Sequence, residues 1–279
     1  MIEWITDPLA FGATTRALIE IAILGTVGGA VGCWVVLYRV SYSAESLAHG
    51  LFPGLVGAAL LGLPLLLGGA AGIVLAAALI ALVSRFATDT DTAIAVVITS
   101  LFGLGVLMAL SPASPPGISE LLFGDLLGTS QQDILVSAAV TIPVLAALWI
   151  LHSRLLAIGF DENSGSAIGI SPGLMTGLVL GLVAVTILVG VQALGNLLVA
   201  AILVGPAAAA RLLTDRFRSM MILSVSFALL AGVAGIYLSF HARIAAGAAV
   251  VGCLVTIYLL AAVTSALRER SPMRTRTSS

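Results

Sequence analysis

The amino-acid sequence predicts an all-α fold, a polytopic transmembrane helical bundle of about nine spans, and three observations carry that expectation. Of 279 residues, 60% are apolar and 9% charged, against roughly 45–50% and 25% in ordinary soluble domains. Apolar blocks of about 20 residues, the length that crosses a bilayer, recur from residue 17 to residue 266. The connections between them are too short to hold a folded domain. Finally, the basic residues fall between the blocks in an ordered way.

In chain order the apolar windows are 17–38, 44–62, 64–84, 91–110, 132–151, 174–190, 194–210, 219–239 and 245–266. They form one membrane domain over residues 17–266, preceded by an outer segment 1–16 and followed by an Arg-rich cytoplasmic tail 267–279. The gaps at Pro64 and at Gln192 to Gly195 are short enough to be kinks, so eight to ten spans fit the same pattern. No basic residue precedes Arg16, while Glu3 and Asp7 do, so the pattern of a cleaved signal is missing and the first span is expected to stay.

All twelve basic residues are arginine. Short cytoplasmic loops are enriched in such residues. If the tail with Arg268, Arg270, Arg274 and Arg276 is inside, alternation through nine spans also places Arg39, Arg85, Arg154, Arg211, Arg216 and Arg218 inside. Only Arg16 and Arg243 fall outside, which supports an N-out, C-in topology. By the same alternation the Pro-rich, acidic segment 111–131 is outer and expected to be a partly helical cap. Segment 152–173 is the longest inner loop, with a short helix among polar residues, and is the natural dock for a cytoplasmic partner.

Composition also excludes functions. A net charge of −1 leaves no electrostatic footprint for nucleic acid. A phosphate-binding P-loop needs a lysine, so ATP used in any transport must be bound by another subunit. There is no Ser-His-Asp set, cysteine cluster, haem-attachment motif or GxSxG, so the chain is not expected to be an enzyme or to hold a permanent cofactor. Cys33 and Cys253 sit far apart in apolar blocks and read as packing residues. Small-xxx-small spacing at Gly25/Gly29, Gly28/Gly32 and Gly173/Gly177/Gly181 predicts close helix packing.

The chemistry-bearing stretch is "SAESLAHGLFPG", residues 43–54. Glu45 and His49 at i, i+4 share a helix face, and carboxylate oxygen with imidazole nitrogen suits divalent metals such as zinc or manganese. Pro53 has no N–H, which frees the carbonyl of His49 on the same turn. Ionisable groups inside a membrane mark function; the alternative is a pair that only bonds to itself or its neighbours. Pro206, inside "GNLLVAAILVGPAAAARLL", frees the carbonyl of Ile202 and reads as a structural kink or as a gate. His241 reads as a solvated outer-turn residue, with partner docking as the alternative, and His152 as an interfacial one. Asp91 fits a helix N-cap beside Asp89.

Over roughly residues 20–265 the chain resembles the membrane subunits of bacterial zinc, manganese and iron ABC importers. "VLYRVSYSAESLAHGLFPGLVGAALLG" is similar to the family's Arg followed by Gly-Asp-x-(Leu/Ile)-(Ser/Ala)-His-Ala-x-x-Pro-Gly. "DTAIAVVITSLFGLGVLMAL", "LFGDLLGTSQQDIL", "IGFDENSGSAIGIS" and "VQALGNLLVAAILVGPAAAARLLT" match later landmarks in order. The resemblance implies a homodimeric pore in the bacterial plasma membrane, two cytosolic ABC ATPase subunits that bind ATP, and an extracytoplasmic metal-binding receptor. It implies that Glu45 and His49 hold the transported metal and that residues 160–170, including Phe160, Asp161, Glu162 and Gly169, couple to the ATPase. Pro53 and Pro206 are the expected gate or hinge.

Two departures stand out. Glu45 replaces the family's aspartate, adding a methylene to the site. In the coupling segment a Pro-Glu-Leu-Ala-Arg run becomes Glu162 to Ser166, and Gly165 for alanine costs about 1 kcal/mol of helix preference. Zinc-type members often carry a histidine where this chain has Thr99 and Ser100, which leans toward manganese. Two other classes compete: a secondary transporter coupled to ions or protons without an ATPase, and a non-transporting membrane scaffold.

Overall fold

A backbone immersed in hydrocarbon must satisfy its own hydrogen bonds, and a helix does so within one segment. The computed structural model describes residues 7–83, 86, 90–112, 114, 124–161, 169 and 171–270. These are helical throughout, apart from turns and connections: α1 (Gly12–Leu37), α2 (Ser41–Leu61), α3 (Leu65–Val83), α4 (Thr90–Ala109), α5 (Gln131–Phe160), α6 (Pro172–Leu213), α7 (Phe217–Ala242) and α8 (Ala246–Arg270). Seven of them are long and apolar enough to cross a membrane. In α4 the apolar described run is shorter, Ile94–Ala109.

Local chemistry sets the boundaries. The capping box of Ser130 and Asp133 opens α5. Ser171 caps α6, with Pro172 at its first position. Gly62 closes α2 in the left-handed conformation, just before Pro64. Arg39, at φ 58°, makes the tight turn from α1 to α2 and is one of two non-glycine residues held at positive φ among the described residues, with Arg243 after α7.

Glycine lets four helices, α6 and α7 against α1 and α3 and α4 against α2, approach at backbone distance. A Cβ on Gly32 would lie 1.8 Å from the carbonyl oxygen of Leu203, so α1 and α6 touch there without side chains between them. Gly54 of α2 meets the backbone of Gly68 and Gly72 of α3 in the same way. The expectation for Gly25, Gly28, Gly29 and Gly32 therefore holds: Gly25 and Gly29 face α7, and Gly28 and Gly32 face α6. Around Gly173, Gly177 and Gly181 a Cβ would meet nothing within 4 Å among the described residues of one chain.

At 42 residues, α6 would be about 63 Å long if straight, twice the hydrocarbon thickness of about 30 Å. It is broken at Gly195, where φ 75° and ψ 163° fall in a region open essentially to glycine alone. A Cβ on Gly190 would come within 2.8 Å of Val199 Cγ2, although nine helical steps separate residues by about 13 Å. The limbs 172–194 and 196–213 thus face each other across the bend. Sequence windows 174–190 and 194–210 correspond to these limbs, joined by one broken residue instead of a loop. The second limb follows α1, from Gly28 beside Ile202 to Gly32 beside Leu203 and Ala207.

Several boundaries differ from expectation. Helix α5 runs nine residues past 151, because Leu155 and Ile158 continue its buried face into the core. His152 is therefore inside a helix, its ring edge-on to Trp34 at 5.5 Å, and is not a residue beyond the span. Phe160 ends that helix and Asp161 caps it, so these two belong to α5 and not to a separate loop helix. Asp91 lies within the first turn of α4, one residue inside its start, instead of at the cap. Residues 115–123 of the expected outer cap lie outside the described residues, and the described part has one 3-10 turn, Leu126–Gly128.

Candidate metal centre

Helix α2 carries Glu45 and His49 one turn apart, with Oε1 and Nε2 3.8 Å from each other. Two other helices hold the imidazole. Nδ1 lies 3.1 Å from Nδ2 of Asn196, the first residue after the break in α6. The ring of Phe102 on α4 meets it edge-on, centroids 5.0 Å apart. This leaves Nε2 turned toward Glu45. Both side chains open into a cleft of about 400 Å³, lined on α2 by Ser41 and Tyr42 and on α6 by Leu197, Ala200, Ala201 and Val204. The Glu45 side chain is 58% exposed and that of His49 22%.

Asn196 was not singled out by the sequence reading. It is fully buried, and its Oδ1 has no hydrogen-bond partner among the described residues. The available signal was an amide directly after a glycine in an apolar run, where burial demands a partner. Amide oxygen and nitrogen can exchange by a half-turn. In one orientation Asn196 donates to Nδ1, which places the ring proton on Nε2. In the other its Oδ1 accepts from Nδ1–H, and the Nε2 lone pair becomes free for a metal.

The donor set is incomplete in one chain. Among the described residues no group of three or more His, Cys, Asp or Glu could hold a metal; Glu45 and His49 supply two donors, and a divalent transition metal takes four or more.

Pro53 is buried within a continuous α2, against the backbone side of Gly105 on α4. Pro206 is likewise buried within the second limb of α6. The non-helical residue in α6 is Gly195, within the Gln192 to Gly195 stretch that the sequence offered as a kink; Pro206, eleven positions on, keeps helical backbone angles.

At the far end of α1, Phe160 and Asp161 border a cavity of about 500 Å³ with Tyr38, Arg39, Arg211 and Asp215. Arg211 and Asp215 pair there at 3.4 Å. Gly169 is exposed, with φ 80°; Glu162 lies outside the described residues. His241 is in the last turn of α7, its ring edge-on to Phe240. Cys33 and Cys253 are free thiols, the first buried and the second half-buried. A second residue the sequence reading missed is Glu20, which is fully buried on α1 and accepts a hydrogen bond from Ser137 of α5.

Residues 10–265 match the model of a family described as the ABC 3 transport family. The manganese transport system membrane protein MntB of Synechocystis is 31% identical over 262 residues, covering 94% of this chain and 86% of that protein. The chelated iron transport system membrane protein YfeC of Yersinia pestis is 30% identical over 261 residues, 93% of this chain and 88% of the other. Among solved structures, PsaBC from Streptococcus pneumoniae in complex with Fab superposes with a TM-score of 0.86 at 29% identity, covering 94% of this chain and 95% of that one.

Proposed function

The chain belongs to the ABC 3 transport family, and on that premise we propose that it is the permease of an importer for divalent transition-metal ions, manganese first, with iron and zinc as competing cargoes. It is a multi-pass protein of the bacterial inner membrane. The observation that carries the proposal is the His49 ring, clamped between Asn196 and Phe102 with Nε2 toward Glu45 in an open cleft. The names of the Synechocystis and Yersinia relatives support manganese and iron as the cargo class.

In this reading the permease works as a homodimer. A carboxylate more than half exposed on an apolar helix is costly against lipid, and two donors do not complete a metal shell. Placing the cleft of one copy against that of another removes both problems and doubles the donors. Nine passes, with the limbs of α6 counted separately, put the Arg39, Asp161 and Arg211 end on the cytoplasmic side. The ATPase then docks around Phe160 to Gly169, and a receptor delivers the ion at the opposite end.

The geometry supports a transport cycle in this reading. The ion reaches Glu45 and His49; the Asn196 amide turns so that Oδ1 receives Nδ1–H, and Nε2 bonds the metal. The ion leaves when the two clefts move apart, because each chain alone contributes only two donors. Motion of the ATPase, transmitted through the end of α5, shifts α6 and with it Asn196. Cellular manganese, iron and zinc are measured in a strain lacking the chain, restored with wild type or with His49→Ala at equal membrane abundance. Restoration of one metal by wild type alone is expected; equal restoration by both removes His49 from the site.

A further inference from the structure

Glu20 lies eight residues into α1, with no solvent exposure. Its Oε1 accepts from the Ser137 hydroxyl at 2.5 Å, while Oε2 has no partner among the described residues. A buried carboxylate oxygen left bare is expensive, and the site must supply something for it. Beside it is a small cavity lined by Glu20, Ser137, Asp133 and Gln192, with Val189 and Leu66 as apolar walls. The space is about 10 Å³ for the centre of a water-sized sphere, room for one water or one ion.

Every polar side chain around that space, Glu20, Asp133, Ser137 and Gln192, carries an oxygen donor. Asp133 spends Oδ2 on the backbone N–H and hydroxyl of Ser130. Gln192 is half-buried and contributes an amide. Basic residues do not line the cavity; Arg16, one turn before Glu20, gives its Nε to the carbonyl of Thr129 at 2.8 Å. Two carboxylates in one small cavity with no cation in its lining repel each other, and a bound cation relieves both the repulsion and the bare oxygen.

The geometry points to a second cation site, in which Glu20, Ser137, Asp133 and Gln192 hold one hard divalent ion by oxygen alone, apart from Glu45 and His49. All-oxygen donors select manganese, magnesium or calcium over softer metals. The site does not depend on the transport reading. Its wall and the imidazole clamp belong to one stretch of chain: Val189 and Gln192 precede the Gly195 bend, and Asn196 follows it. An ion at Glu20 thus steadies the end of the limb from which Asn196 emerges.

The test uses the full chain purified in detergent, with Glu45→Gln and His49→Ala combined so that the transport site contributes nothing. Binding of Mn²⁺ is followed by loss of the free-ion electron paramagnetic resonance signal. One Mn²⁺ per chain is expected to remain, displaced by Ca²⁺ or Mg²⁺, and its affinity to fall at least tenfold on adding Glu20→Gln. Should Glu20→Gln not fold, Gln192→Leu, which leaves the Glu20–Ser137 bond in place, is expected to give the same direction of change. The proposal is overturned if the double variant binds no Mn²⁺, or if the bound ion is indifferent to both further substitutions; Glu20 is then a clamp between α1 and α5 and nothing more.

Discussion

If His49 holds the transported metal, a single amide decides whether its imidazole can bind. With Asn196 donating to Nδ1, the Nε2 lone pair is replaced by a proton; with its oxygen accepting, Nε2 is a ligand. Asn196→Leu removes both options and leaves the imidazole untethered, so metal affinity is expected to fall by about 10–100-fold, the usual cost of losing such a supporting partner. Asn196→Asp can only accept from Nδ1–H and should retain or raise affinity. Competition with a fluorescent metal indicator on the purified chain measures both. If Asn196→Leu binds as wild type does, the amide has no part in orienting the ring.

At the scale of elements, α6 behaves as two limbs because one residue breaks it. The φ 75°, ψ 163° conformation of Gly195 costs any other residue about 1–3 kcal/mol. Gly195→Ala is therefore expected to lower the thermal unfolding temperature in detergent and to reduce metal uptake, since it misplaces Asn196 relative to His49. Pro206→Ala, within an already continuous limb, should change uptake much less. Uptake lost in Pro206→Ala and kept in Gly195→Ala would return the hinge to the proline. The contact of α1 with α6 offers a comparison: Gly32→Ala forces a methyl into the Leu203 carbonyl, and helices pressed apart there should destabilise the protein more than Gly177→Ala, whose surroundings are empty.

At the scale of the whole molecule, the cleft at Glu45 and His49 is open on one side in a single chain, and the proposed homodimer would close it. In a background with Cys33 and Cys253 replaced by alanine, Leu197→Cys at the lip of the cleft is expected to cross-link two copies on mild oxidation. Leu135→Cys, on an exposed face of α5 away from the cleft, is not. The reverse pattern would move the interface to α5. Topology is checked in the same background: Arg243→Cys should react with a membrane-impermeant thiol reagent added to spheroplasts, and Arg216→Cys only after permeabilisation.

Composition and hydropathy alone determined that this is a helical membrane protein, because a low-dielectric solvent leaves a backbone few alternatives to the helix. The i, i+4 spacing determined equally well that Glu45 and His49 share a face, since helical periodicity is a local property. What crosses between elements was decided only by the tertiary structure. Asn196 stands 147 positions from His49 and Ser137 stands 117 from Glu20, and no local rule relates residues so far apart. The short gap at Gln192 to Gly195 marked a place for a kink, but periodicity did not single out Gly195 as the one residue that makes it. Partnership between buried polar groups depends on which helices meet, and packing of whole surfaces settles that.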